Sequence, residues 1–227
     1  MANVFLSHSC LDKPFVRLVG EDLEAAGIFV WFDEARLKIG DSLPLELGIA
    51  ISSTDYVLAF LSHNSMGSPW VQKELAIAAA LEINGQRVKV LPLRLDDSPV
   101  PAFLADKLYA NFGSAVQYDF EFRRLLTAVK PDALPVDNHF FYCLTIGSTR
   151  KDRLLRSTTA PQMKEWVLDY LLGTIEQRDR STERHFAYLA LGEIGGERAE
   201  AQVEKGLADS DEFARKGARG AWKQLGH

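Results

Sequence analysis

The chain has 227 residues, 47% of them apolar and 25% charged, a composition that supplies core material for one ordinary domain and a smaller one. Its formal charge of −5 excludes the basic excess expected of a nucleic-acid or membrane-surface binder, so any anionic ligand must find its positive charges locally. No apolar run approaches the ~20 residues of a bilayer span, no basic stretch precedes Asn3–Leu6, and Cys10 and Cys143 form no CxxC pair. The expectation is a cytoplasmic protein with reduced thiols and no membrane or nucleic-acid partner.

Strand-like and helix-like segments alternate through the first 130 residues. Asn3–Leu6 reads as a short buried strand. Between Lys13 and Ala26, Phe15, Val16, Leu18, Val19 and Leu23 recur at helical spacing, and Gly27 stops the helix. Ile28–Phe32 is a second strand, rich in aromatic and β-branched residues, and Asp33–Asp41 a charged loop. Leu43–Ser52 is helical, Tyr56–Leu61 a third strand, and Ser62–Gly67 turn material. Ser68 and Pro69 supply an N-cap and a first-turn proline for a long helix running to about Ile83. Arg87–Leu95 reads as a fourth buried strand. A proline-spaced loop, a short strand near Leu108–Phe112 and a helix over Phe120–Val129 close the unit.

This alternation predicts a flavodoxin-like, doubly wound parallel sheet with helices on both faces. Ligands of such sheets bind outside the carboxyl ends of the strands, where the strand order reverses. The functional loops are then Ser7–Asp12, Asp33–Asp41 and Ser62–Ser68; Phe5, Ser7 and Phe32 line the crevice, though Phe5 and Phe32 are more often core than contact, and His8 stands at its edge as a ligand contact or, more commonly, a solvated loop histidine. Arg36 and Lys38 are placed to neutralise a pyrophosphate, or to be no more than a charged exposed loop.

Residues 131–160 read as a linker that can hold one extra strand in the run Phe140–Ile146. Its basic residues Arg150, Lys151, Arg153 and Arg156 read as a solvated linker, with a contact to an acidic partner surface as the second reading. From 161 to 227 there are helix formers only, and the pattern Arg184, Ala187, Ala190, Ile194, Gly195 recurs as Arg215, Ala218, Ala221, Leu225, Gly226. A period of roughly 30 residues is that of stacked helical hairpins, and the segment resembles a short HEAT-like repeat.

Absences narrow the chemistry. There is no GxxxxGK[ST], no GxGxxG after the first strand, no GxSxG elbow and no acidic pocket of a phosphate receiver. The five histidines show no metal-ligand spacing, and no metal is expected.

What remains occurs in a fixed order. Val4-Phe5-Leu6-Ser7-His8-Ser9 precedes Asp12; Phe32-Asp33-Glu34 precedes Ile39-Gly40-Asp41; Val57–Ser62 precedes Ser68-Pro69-Trp70-Val71-Gln72-Lys73-Glu74. In this order and spacing, residues 1–130 resemble a bacterial TIR (Toll/interleukin-1 receptor) domain, with Ile39-Gly40 where many members have Pro-Gly.

The resemblance implies an enzyme that cleaves NAD+ at the nicotinamide–ribose bond, giving nicotinamide and ADP-ribose or a cyclic isomer, with NAD+ as substrate and no cofactor. It implies that Glu74 is catalytic. Nicotinamide leaves as a neutral molecule, so one fixed carboxylate beside an oxocarbenium-like ribose suffices. Trp70, one helical turn before Glu74, would cover the ribose, and Ser68 would orient a hydroxyl or only cap. Taken without the resemblance, Glu74 is a helical glutamate of the ordinary solvated kind, and Trp70 is core.

The family also implies self-association through the TIR domain and a setting in anti-phage defence signalling; the helical tail is read as an element that regulates or recruits a second defence protein. Two other functions fit the same fold: a non-catalytic adaptor acting by assembly, and a nucleotide-binding sensor.

Overall fold

The computed structural model describes residues 2–32, 43–131, 147–177 and 179–227, with the side chains of 43–47 excepted. The chain divides into two compact units, 1–137 and 138–227.

The first unit holds β1 (Asn3–Ser7), α1 (Lys13–Ala25), β2 (Phe29–Trp31), α2 (Leu43–Ser52), β3 (Tyr56–Leu61), α3 (His63–Met66), α4 (Pro69–Ile83), β4 (Lys89–Arg94), β5 (Ala110–Asn111) and α5 (Tyr118–Val129). The strands form one sheet in the order β2-β1-β3-β4-β5, with every pairing parallel. The doubly wound parallel fold expected from the sequence is present. The chain steps from β1 to β2 on one side and returns to β3 on the other, so the order reverses between the carboxyl ends of β1 and β3.

Alternation along the strands assigns the two faces. Phe5, Val57, Ala59, Leu61, Val88 and Val90 pack with Val71, Leu75 and Ala78 of α4 and Ile51 of α2, with Trp31 at the margin. Leu6 points the other way. A Cβ on Gly20 of α1 would lie 3.2 Å from its Cδ1 and 2.3 Å from Phe32 Cζ, so glycine is what lets α1 approach that face. An aromatic cluster of Phe15, Phe112, Tyr118 and Phe122 extends the core, and Tyr118 donates its hydroxyl to buried Asp22 at 2.9 Å.

Two local readings are corrected. Ser62–Gly67 is not only a turn: Ser62 and Ser65 form a reciprocal capping box, each side chain accepting from the other's backbone N–H, which opens the short helix α3. The sequence signal was hidden because serine fills the position where Glu or Gln is usual. The short strand expected near Leu108–Phe112 narrows to Ala110–Asn111.

The second unit is all-helical among its described residues: α6 (Ser148–Ser157), α7 (Pro161–Gln177), α8 (Ser181–Ile194), α9 (Glu197–Gly206) and α10 (Glu212–Gln224). The basic stretch expected to be solvated linker is therefore a helix. Its buried positions are Arg150 and Leu154, one turn apart. The reading failed because an arginine stem can fill an apolar row while its guanidinium finds a partner. Here that group lies 5.3 Å from the centre of the Tyr170 ring. The strand considered at Phe140–Ile146 lies outside the described residues.

Helices α8 and α10 pack closely on each other. A Cβ on Gly217 would fall 2.4 Å from the backbone oxygen of His185, and one on Gly192 2.7 Å from Ala221 Cα. Small residues bring these two helices to backbone contact. The repeated arginines converge on the loop between α9 and α10: Arg184 binds the Asp209 carboxylate through two nitrogens at 3.0 and 3.1 Å, and Arg215 donates to the Asp209 carbonyl. No helix among the described residues is long and apolar enough to cross a membrane.

Candidate functional site at the strand ends

Helix α4 begins where the sequence places it. Ser68 has extended backbone geometry, its side chain accepts from the Val71 N–H at 3.4 Å, and Pro69 occupies the first turn. The buried positions of α4 are Val71, Glu74, Leu75 and Ala78, the i, i+3, i+4, i+7 stripe of an amphipathic helix. Glu74 therefore occupies a position that packing alone would give to an apolar residue.

Glu74 is fully buried, and so is Ser7 at the carboxyl end of β1. The Ser7 hydroxyl donates to Glu74 Oε2 at 2.6 Å. That separation falls in the range of O–H···O⁻ bonds to an ionised acceptor. Isolating a carboxylate from water is costly unless hydrogen bonds compensate it, and here a donor is supplied from a strand 67 positions earlier in sequence. Trp70 is half-buried and packs against the core on the α4 face, one turn before Glu74.

The loops at the ends of β1 and β3 are tied together. Asp12 accepts from Ser62 Oγ at 2.5 Å and from Asn64 Nδ2 at 2.8 Å. Asp12 stands at the N-cap position of α1, yet its side chain makes no cap bond there. Its carboxylate instead fixes the start of α3 across the strand-order reversal. Nothing local to residue 12 announced this, since the partners lie 50 and 52 residues away.

The remaining expected residues fall in different places. Phe5 is core, 2% exposed. His8 Nδ1 lies 2.9 Å from the Leu6 carbonyl. A carbonyl only accepts, so Nδ1 carries the hydrogen and the ring is turned back on its own strand. Ser68 is occupied as a helix cap. Phe32 is not brought to Glu74: its ring lies against Gly20 and α1, on the opposite face of the sheet. The β2 aromatic on the Glu74 face is Trp31, paired in register with Phe5. Counting the strand alternation from Phe5 would have selected Trp31 over Phe32. Arg36 and Lys38 lie outside the described residues.

One group of potential cation ligands occurs among the described residues, His63, Asp96 and Asp97, whose donor atoms lie within 4.8 Å of one another. Asp96 Oδ2 is 3.1 Å from His63 Nδ1 and accepts from the His63 backbone N–H at 3.0 Å, while Oδ1 accepts from the Ser98 N–H at 2.9 Å. Burial, the largest single influence, pushes the Asp96 carboxyl up. The His63 and Ser98 donors together outweigh it and hold the group at about 2. An unfolded-chain aspartate titrates near ~3.9, so the stabilisation is fully present above about pH 4 and disappears as pH falls through about 2. Acid unfolding checks this: wild type is expected to exceed Asp96→Asn in stability at pH 6, and the two are expected to converge near pH 2.

A parallel, doubly wound domain with a buried carboxylate at its strand-order reversal defines the class of this protein. Residues 4–126 match the family model described as TIR domain, and the chain belongs to that family. Among curated relatives, the 2′ cyclic ADP-D-ribose synthase BtTIR of Bacteroides thetaiotaomicron is 37% identical over 113 residues, 47% of this chain and 39% of the relative. The 2′ cyclic ADP-D-ribose synthase AbTIR of Acinetobacter baumannii is 36% identical over 118 residues, 48% of this chain and 42% of the relative. The NAD(+) hydrolase TcpC of Escherichia coli O6:H1 is 31% identical over 110 residues, 46% of this chain and 36% of the relative. These matches span about two fifths of the relatives' own length. The crystal structure of the TIR domain of the Toll-related receptor TRR-2 from Hydra magnipapillata superposes with a TM-score of 0.50 at 18% identity, covering 56% of this chain and 97% of that one. That likeness is one of fold.

Proposed function

We propose that the chain cleaves NAD+ at the nicotinamide–ribose bond, with Glu74 as the catalytic carboxylate. The observation that carries this reading is Glu74 itself, a carboxylate in the buried stripe of α4, held by Ser7 at the carboxyl end of β1. The relatives named as NAD(+) hydrolases and 2′ cyclic ADP-D-ribose synthases support it over the matched region.

The C1′–nitrogen bond breaks with its electron pair going to the pyridine ring, which leaves as neutral nicotinamide and needs no general acid. The ribosyl cation left behind is stabilised by the Glu74 anion at close range in a water-poor site. Water then adds to C1′ and releases a proton, giving ADP-ribose; a ribose hydroxyl adding in its place gives a cyclic isomer. Trp70 beside the carboxylate would cover the ribose.

Glu74 is 0% exposed, so a ligand reaches it only after the side chains over it move. Self-association of the TIR unit is the event we assign to that opening, so activity is expected to rise steeply with protein concentration or crowding. The all-helical second unit is read as a HEAT-like module that regulates this step or recruits a second defence protein. The setting we infer is cytoplasmic anti-phage signalling.

The test is incubation of concentrated or crowded protein with NAD+, following nicotinamide release beside Glu74→Ala. Equal release from both proteins removes Glu74 from the mechanism. NAD+ binding without release, lost in Glu74→Ala, would favour a nucleotide sensor; assembly with neither binding nor release would favour an adaptor. Deleting residues 161–227 is expected to change oligomer size or activity, and unchanged values for both would end the regulatory reading of the tail.

A further inference from the structure

We infer that Ser7 is a positioning residue for the reaction, acting through Glu74 and not through contact with the ligand; the inference rests on the NAD+-cleaving function proposed above. Both side chains are fully buried, and the Ser7 hydroxyl spends its single hydrogen on Glu74 Oε2 at 2.6 Å. A hydroxyl has one donor and a carboxylate two oxygens. The bond thus restrains the rotation of the carboxylate about its last torsion, a broad and soft degree of freedom.

The chemical identity of this partner matters. A lysine or arginine at the end of β1 would also fix the carboxylate, but it would cancel the charge that a ribosyl cation needs. Serine is a neutral donor: it orients the anion and leaves its net charge intact. Because Ser7 pairs in register with Ala59 of β3, its backbone is held on an inner strand of the sheet, so the hydroxyl has a rigid mount. The location is a strand end, and the group it holds is on a helix. Small relative movements of α4 and the sheet would therefore move the carboxylate off its line, which is the kind of misplacement that costs about a hundredfold in rate.

A serine placed in this crevice could instead touch substrate, and the two roles separate in kinetics. Full-length Ser7→Ala is compared with wild type in kcat and KM for nicotinamide release. In parallel, the Glu74 carboxyl carbon is followed by 13C NMR in glutamate-labelled protein, its signal assigned by its loss in Glu74→Gln. Positioning predicts a kcat lower by about tenfold to a hundredfold, a KM within about twofold, and a displaced Glu74 carboxyl signal in a protein that stays folded at the assay temperature. A raised KM with unchanged kcat would make Ser7 a ligand contact and overturn the inference; so would an unmoved Glu74 signal. If wild type releases no nicotinamide under any crowding condition, the functional reading fails and the carboxyl signal alone decides the contact: displaced supports it, unmoved overturns it.

Discussion

Glu74→Gln is expected to leave the protein folded and to lower nicotinamide release by about a hundredfold to a thousandfold, the scale on which losing one preorganised electrostatic group acts. Glutamine is the informative substitution because it separates charge from packing. Its side-chain carbonyl still accepts the Ser7 hydroxyl, and its volume fills the same fully buried space on the α4 stripe. Alanine does neither. It opens a void beside Val71 and Ala78 and leaves a buried hydroxyl without its partner, which costs about 1–3 kcal/mol. Thermal unfolding beside the NAD+ assay distinguishes the two cases. A glutamine variant that retains wild-type release would show that the charge does nothing, whatever the fold or the relatives suggest.

Gly217→Leu is expected to disrupt the second unit. In an exposed helix interior, replacing glycine by a good helix former gains about 1 kcal/mol. At Gly217 the first added carbon lands 2.4 Å from the His185 carbonyl oxygen and 2.8 Å from His185 Cα, both backbone atoms that cannot swing aside. Either α8 and α10 separate, exposing Ala187, Ala190, Ala218 and Ala221, or the helices distort. The expected cost exceeds the roughly 1–3 kcal/mol of ordinary overpacking. Amide hydrogen exchange reads this locally: protection should fall in α8 and α10 and stay unchanged in β1, β3 and β4. Wild-type protection in α8 would show that the close approach is not maintained in solution. Gly220→Ala is a suitable control, since its added carbon meets only the tip of the Leu189 side chain, Cδ2 at 3.0 Å, and no backbone atom.

What could be read in the sequence follows the range of the interactions involved. The α4 start was legible because Ser68 and Pro69 act on their own turn. The parallel fold was legible because each buried strand carries its own apolar run. The Ser7–Glu74 bond and the Asp12 links to Ser62 and Asn64 were not, because each joins residues at least 50 positions apart and neither partner's neighbourhood encodes the other. Phe32 was misplaced by a single step in a two-residue alternation, which is enough to send a side chain through the sheet. Arg150 escapes a sequence reading for another reason: its charge suggests exposure, while its guanidinium lies over Tyr170 and only 2% of the residue meets solvent.

The 67-residue separation of Ser7 from Glu74 also sets when the site can first exist. During synthesis β1 emerges early, but it stays an isolated segment until β3 pairs with it and α4 folds over both. Parallel pairing of this kind is non-local and comparatively late. A nascent or truncated chain ending before α4 would carry the serine and no carboxylate. The site is thus assembled by folding and is absent from every fragment that has not completed it.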